Sequence, residues 1–320
     1  MTRAIVVPFH RYQPYKSDRY KVFLNTFVNS PSINGDEVDT VYLIDSEYGF
    51  DEKDLKKLRD KGVESRVLPC ANDGGSWWEN IRRATKLIKE DLVMFLDMDV
   101  VFWETGIIKG WFDLAKDFDV VTSFDSSGGM RDEILGKYPG MKCCNGVRMG
   151  TYYFVVNRKV LTVMGDTDLA PIQFKEGAKI KELDYVTKEG DWLDALGYLT
   201  LRLLDGGFNF RQIVDNRSSF YLEDNGDLIS DPGSNCDVPG YYHIRNGNMP
   251  IYLLDTYEDF KVDFERKLEQ TPRRETLRLM AWHKYLGMSE NDIIILLGAM
   301  GLPKHEWDIY FSKFKEYHKI

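Results

Sequence analysis

Strand-like runs alternate with helix-period stretches through the first half of the chain, and that alternation constrains the fold more than any other feature. Residues 4–7, 41–44, 63–68, 92–96 and 120–121 read as strands. Between them, 20–28, 51–61 and 76–90 read as helices, the last with Trp77, Ile81, Ala84 and Ile88 at helical spacing. Gly62 sits where the second helix should stop. A chain of this kind carries each strand back to one sheet through a crossover helix. The sheet is then mostly parallel and covered on both faces. The expected class is α/β, Rossmann-like, with a central sheet flanked by helices.

The pattern changes in the middle. Residues 125–147 hold five Gly, one Pro and the Cys143-Cys144 pair, which predicts a long functional loop. A strand over 152–156 and a short helix over 157–164 follow. Residues 165–190 read as a polar loop. A helix is predicted over 191–204, with Leu196, Leu199 and Leu203 on one face and Gly206-Gly207 ending it. A short strand covers 241–245. Helical patterns at about 257–270, 272–286, 289–300 and 304–318 predict a C-terminal helical appendage. The expected division is an α/β domain over 1–254, in two halves of 1–124 and 125–254, and a helical region over 255–320. The run from Ile293 to Leu297 is too apolar to lie bare; it packs on the domain or joins two copies into a homo-oligomer.

Composition excludes some functions. The chain has 320 residues, enough for one large α/β domain with an appendage. Its formal net charge is −9, against the clustered Lys and Arg that reading a nucleic-acid backbone or docking on anionic lipid requires. None of the four cysteines, Cys70, Cys143, Cys144 and Cys236, forms a CxxC pair, so a structural zinc site is not expected. The opening Met1-Thr2-Arg3 and the short apolar run after it do not make a signal peptide, and no apolar run reaches membrane-spanning length. A soluble, cytoplasmic protein with reduced thiols is expected.

The strongest chemical signal is Leu92-Val93-Met94-Phe95-Leu96 followed by Asp97-Met98-Asp99. A fully apolar strand ends and two carboxylates follow at a spacing of two. In an extended chain, side chains at that spacing point the same way. Two like charges so close repel unless a cation neutralises them. Oxygen ligands of this kind suit Mn²⁺ or Mg²⁺, which also bridge diphosphate oxygens. An Asp-x-Asp is also a common way for a strand to reach solvent. Its position here, where open α/β sheets bind ligands, favours the metal reading.

The triplet Asp97-Met98-Asp99 resembles the DxD motif of GT-A glycosyltransferases, and Ile5-Val6-Val7-Pro8-Phe9-His10-Arg11 is similar to that family's first strand and nucleotide-binding turn. The resemblance implies a metal-dependent glycosyltransferase, a hexosyltransferase first of all, using a nucleotide-sugar donor such as a UDP-sugar and a hydroxyl acceptor. It places Pro8, Phe9, His10, Arg11, Asp45, Asn80, Arg82, Asp97 and Met98 against the donor, with Arg83 a further candidate partner for the diphosphate. It implies metal ligation by Asp97, Asp99 and His243, the last within Tyr241-Tyr242-His243-Ile244-Arg245-Asn246-Gly247. The segment Glu189-Gly190-Asp191-Trp192-Leu193-Asp194 resembles the acidic motif of inverting members. There Asp191, with Asp194 in reserve, would take the acceptor proton. The same segment is similar to a motif of the glycogenin-like retaining family, so the stereochemistry stays open. Either acid could instead cap the helix that follows. One of Trp77, Trp78, Trp103 and Trp192 could stack on a sugar.

Two other readings compete. Haloacid-dehalogenase-type phosphatases also place Asp-x-Asp after a strand, but on the first strand, with the first Asp as nucleophile. A non-catalytic module that binds a sugar nucleotide or serves assembly would carry the same scaffold without transfer.

Overall fold

The computed structural model describes residues 1–10, 22–46, 48–70, 76–98, 100–102, 105–125, 130–138, 148–213, 220–222, 228–230 and 241–243. The chain begins with β1 (Arg3–His10), α1 (Val22–Asn29), β2 (Thr40–Ser46), α2 (Glu52–Asp60), β3 (Glu64–Pro69), α3 (Trp77–Thr85) and β4 (Leu92–Leu96). It continues with β5 (Val100–Phe102), α4 (Ile107–Leu114) and β6 (Val120–Asp125). Next come α5 (Arg131–Lys137), β7 (Arg148–Asn157) and α6 (Arg158–Gly165). Short strands β8 (Ile172–Gln173), β9 (Lys179–Ile180), β10 (Tyr185–Val186) and β11 (Trp192–Leu193) lead into α7 (Gly197–Asp205) and β12 (Phe210–Gln212). Last are β13 (Phe220–Leu222), β14 (Leu228–Ser230) and β15 (Tyr241–His243). The helical patterns expected over 255–320 lie outside the described residues.

Seven strands form one sheet in the order β12-β6-β7-β4-β1-β2-β3. β1 pairs parallel with β2 and β4, β2 with β3, and β12 with β6; β7 runs antiparallel between β4 and β6. This is the Rossmann-like α/β sheet expected from the strand–helix alternation. The direction of β7 is not in that pattern: the chain enters it through 130–138 and α5, not through a crossover helix.

Both faces of the sheet are buried. On one, Val6, Tyr42, Ile44, Val93, Phe95, Phe154 and Val156 meet Ile81 and Ala84 of α3, Val160 and Met164 of α6, and Leu199 and Leu203 of α7. The intervening residues Ile5, Val7, Val41, Leu43, Met94 and Val155 are equally buried. On that side Trp111 of α4 packs edge-on against Tyr153, centroids 4.3 Å apart. A second cluster joins Met130 and Ile134 with Ile180, Leu183, Leu193 and Leu201. α7 thus ties the two clusters together: Leu199 and Leu203 serve the first and Leu201 the second, as helical spacing allows.

Four expected elements differ. α3 stops at Thr85, not at Glu90: Thr85 Oγ1 donates back to the Arg82 carbonyl at 2.7 Å, and Glu90 turns inward to accept from Tyr42 Oη at 3.0 Å. The expected loop over 125–147 contains α5, and that over 165–190 contains two-residue strands and a 3₁₀ turn at Lys181–Leu183. The helix expected from 191 begins at Gly197, because Leu196 takes φ +62° and breaks the helix before it.

Helix ends carry their caps. Asp51 accepts from Asp54 N at 2.9 Å and Asn157 from Lys159 N at 3.0 Å. Gly62, at φ +78°, ends the turn after α2, and Gly35 N donates to the Lys61 carbonyl at 2.9 Å. A Cβ on Gly35 would lie 2.9 Å from the Gly62 carbonyl oxygen. Gly35→Ala must push two backbones apart, and a loss of about 1–3 kcal/mol is expected in a urea-unfolding midpoint.

Candidate functional site

The order of the sheet decides where a ligand would lie. From β1 the chain proceeds outward to β2 and β3, whereas β4 lies on the other side of β1 and leads towards β7 and β6. The connections diverge between β1 and β4, and in open α/β sheets the crevice at the carboxyl ends of such strands binds the ligand. Pro8, Phe9 and His10 end β1 there, and Asp97 follows β4 there.

All five residues of β4 are buried, and Asp97 and Met98 are the first half-exposed positions after them. Val100 N donates to the Asp97 carbonyl at 3.2 Å, so the chain turns at once and re-enters as β5. β15 lies antiparallel to β5, with Tyr241 opposite Phe102, Tyr242 opposite Val101 and His243 opposite Val100. A segment remote in sequence therefore returns to the residue after the Asp97-Met98-Asp99 turn. Asp99, Arg11 and the side chains of His10 and His243 lie outside the described residues. Among the described residues no three His, Cys, Asp or Glu side chains come together as a metal site. The half-exposed Asp97 carboxylate is oxygen chemistry that suits Mn²⁺ or Mg²⁺.

The turn rests on a fixed base. Ser30 Oγ donates to the Phe102 carbonyl at 3.0 Å, holding β5 to the end of α1. The buried Glu37 carboxylate accepts from Gly106 N at 2.6 Å and Lys109 N at 3.1 Å, at the start of α4. A carboxylate at a helix N-terminus satisfies open N–H groups and meets the positive end of the helix dipole. No sequence pattern marks Glu37 for this role; Gly106 and Lys109 lie more than sixty residues away.

Several expected donor contacts have structural duties. Phe9 is fully buried among Phe27, Tyr48 and Phe50 at centroid distances of 6.0, 5.0 and 5.5 Å, which leaves its backbone, not its ring, to face a ligand. Pro8 is buried as well. Asp45, half-buried at the end of β2, accepts through Oδ1 from Tyr48 N at 2.7 Å and Gly49 N at 3.1 Å, organising the turn that presents Tyr48. Asn80 is 3% exposed and donates to Cys70 Sγ at 3.0 Å, so it stitches α3 to the end of β3.

Arg82 and Arg83 are both engaged by a carboxylate of their own helix. Arg82 grips Glu79 with two bonds of 2.8 Å, and Arg83 reaches the same carboxylate at 2.9 Å. The spacings of three and four residues put all three side chains on one helix face. Arg82, then Arg83, hold the Glu79 carboxyl down to about 2 from its ordinary 4.5. A lowered folded value means the unfolded chain binds the proton more readily, so acid favours unfolding. The contribution is complete above about 4.5 and is lost as pH falls through about 2. Because Glu79 is partly exposed, solvent screening keeps the effect near 0.5–1 kcal/mol. Glu79→Gln is therefore expected to lower stability by that amount at neutral pH and to match the wild type near pH 2, read by chemical unfolding across pH.

On the acceptor side, Asp191 is 8% exposed. Its Oδ2 accepts from Tyr185 Oη at 2.9 Å and Lys188 N at 2.7 Å, and its carbonyl accepts from Phe174 N at 3.1 Å. Burial, then the Asp191 carboxylate and Glu133, push the Tyr185 hydroxyl up to about 12. Asp194 is half-buried, and its Oδ1 accepts from Ala195 N at 2.8 Å. Neither acid caps α7, which begins at Gly197 with no side-chain cap. Thr200 Oγ1 of α7 accepts from Met149 N at 3.1 Å, and Met149 lies in the part of β7 that extends past the carboxyl end of β4. The 191–194 segment is thus carried on the same end of the sheet as Asp97. Tyr185, Lys188 and Gln173 escaped the sequence reading because strands of two residues leave no periodic signal.

No protein-family profile matches the chain, and no curated protein sequence matches it. Among solved structures it is similar to glucosyl-3-phosphoglycerate synthase from Mycobacterium tuberculosis, crystallised with Mn²⁺, UDP and phosphoglyceric acid: 16% identity over 53% of this chain, TM-score 0.32. The chain spans 58% of that enzyme's length, under two-thirds. It is similar to mouse xyloside xylosyltransferase 1 at 12% identity, covering 76% of this chain and 97% of that one, TM-score 0.41. It is also similar to the inositol-1-phosphate CTP transferase of T. maritima at 14% identity, covering 98% and 97%, TM-score 0.39. No helix of the described residues is long and apolar enough to cross a membrane.

Proposed function

We propose that the chain is a metal-dependent glycosyltransferase of the GT-A type, moving a hexose from a nucleotide diphosphate, UDP first among them, to an acceptor hydroxyl. The observation that carries the reading is the turn at the carboxyl end of β4. Asp97 leaves a fully buried strand at the switch point of the sheet, and the backbone of His243 returns beside that turn. This is where such sheets bind nucleotides.

In this reading the ends of β1 and β2 form the floor for the nucleotide, through the backbone of Pro8 and Phe9 and the turn built by Asp45. His10, Arg11 and Met98 lie along the same edge in sequence. Mn²⁺ or Mg²⁺, when held by Asp97, Asp99 and His243, supplies positive charge to the departing diphosphate. The acceptor oxygen forms its bond to the anomeric carbon while the bond from that carbon to the diphosphate oxygen breaks. The hydroxyl proton passes to a carboxylate of the 191–194 segment, and the electron pair leaves with the diphosphate. Residues 1–124 serve the donor and 125–254 the acceptor. Residues 255–320 would form the helical appendage and a contact between copies, in a cytoplasmic protein.

The test is a set of UDP-sugars (glucose, galactose, xylose, N-acetylglucosamine) with Mn²⁺ or with a chelator, run beside p-nitrophenyl phosphate. Release of UDP that needs the metal is expected, with no p-nitrophenol. Cleavage of the phosphate ester without UDP release would point instead to phosphatase chemistry. Tight UDP-sugar binding with neither release nor transfer would point to a binding module.

A further inference from the structure

We infer that the outward face of the β8–β11 hairpin is the acceptor subsite, and that it takes a sugar ring laid on Trp192 with Asp194 and Gln173 at its rim. The inference rests on the glycosyltransferase reading, and goes beyond it by making the acceptor a carbohydrate and Asp194 the carboxylate that meets it.

From 191 to 195 the residues are in turn buried, exposed, buried, half-buried and buried. β11 covers Trp192 and Leu193, so Trp192 faces outward and Asp191 and Leu193 inward; Asp194, the next half-exposed position, starts the turn into α7, its carbonyl accepting from Gly197 N at 2.8 Å. Inward, Leu193 is fully buried in the second cluster, and Asp191 is bonded to Tyr185 and Lys188. Asp191 thus holds the hairpin from within, and Asp194, half-buried and accepting from Ala195 N, is the more exposed of the two acids. Outward, Trp192 is 41% exposed, among the few large apolar side chains that reach solvent. Its cross-strand partner is Gln173, also exposed.

Directly opposed residues of an antiparallel pair have Cβ atoms about 4.5–5.5 Å apart, so the amide of Gln173 lies beside the indole. An exposed indole on a strand fixed from behind loses little entropy when it is covered. An indole flanked by an amide and a carboxylate fits a pyranose better than it fits a hydrocarbon or a nucleic acid. The sugar's axial C–H groups form an apolar face that meets the negative face of the ring. Its rim of hydroxyls needs both donors and acceptors, which Gln173 and Asp194 supply. An acceptor hydroxyl beside Asp194 can pass its proton there as its oxygen bonds to the anomeric carbon.

The experiment uses the full chain with UDP and Mn²⁺, titrated with maltose, lactose, cellobiose and xylobiose by ligand-observed NMR. The account expects at least one disaccharide to bind. Trp192→Ala should weaken that binding about tenfold, the loss of one stacking contact and its buried area, and Trp192→Phe should recover most of it. Stabilisation by UDP and Mn²⁺ should be unchanged in both variants, which also shows that they fold. Absence of binding by all four sugars while UDP and Mn²⁺ still stabilise the wild type overturns the inference, as does a Trp192→Ala variant that binds like the wild type. If the wild type gains nothing from UDP and Mn²⁺ yet binds a sugar through Trp192, the subsite stands and the nucleotide-sugar reading falls.

Discussion

Asp97→Ala is expected to abolish the Mn²⁺-dependent rise in melting temperature that UDP gives the wild type, and to cut sugar transfer by at least about 100-fold. A ligand at a hundred times its dissociation constant stabilises the native state by about 2.7 kcal/mol, so the wild-type shift should be plain in a thermal scan. Asp97 is half-exposed, and the five residues before it carry the packing of β4. Truncation therefore leaves no core cavity, and the unliganded variant should still unfold cooperatively. Loss of the ligand-dependent shift with the intrinsic stability kept is the signature of a ligating residue. A variant that still responds to UDP with Mn²⁺ would count against a metal at this turn.

Phe9→Ala should behave in the opposite way, with a loss of about 3–5 kcal/mol in guanidinium unfolding. Its ring is fully buried where α1, β1 and the turn after β2 meet, against Phe27, Tyr48 and Phe50. Removing it opens a cavity beneath the Asp45 turn, whose bonds to Tyr48 N and Gly49 N depend on Tyr48 staying packed. Phe9→Leu keeps most of the volume and should cost much less. A loss below about 1 kcal/mol for the alanine variant would contradict the packing described and return the ring to the ligand side.

What could be read from the sequence follows from which signals are local. β4 was legible because Leu92–Leu96 is apolar throughout, as a strand covered on both faces must be. α2 was legible because Asp51 caps it and Gly62 ends the turn after it. The helix at 191–204 had its periodic residues correctly identified, with Leu199 and Leu203 in the core. Its start was misplaced, because nothing local announces that Leu196 will adopt a left-handed backbone. The hairpins of β8 to β11 were invisible, since two residues make no period.

For the candidate site the same division holds. Position relative to the strands was legible for Asp97 and Asp45, but partners were not. Arg82 and Asn80 looked like ligand contacts because they are polar and precede the acidic turn. Their bonds to Glu79 and Cys70 form only once the helix and strand are in place. Asp191 and Asp194 look interchangeable in sequence. In the fold Asp191 is buried and bonded to Tyr185 and Lys188, and Asp194 is half-buried and accepts from Ala195 N.

The central claim is that one divalent cation and a nucleotide diphosphate bind together at the end of β4. Electron paramagnetic resonance of Mn²⁺ tests it directly, because the sharp signal of the free ion collapses on binding. The signal should fall when UDP is added to the wild-type protein with Mn²⁺, and should stay close to that of a protein-free Mn²⁺–UDP control with Asp97→Ala. An identical fall with both proteins, or none with either beyond that control, would contradict the account.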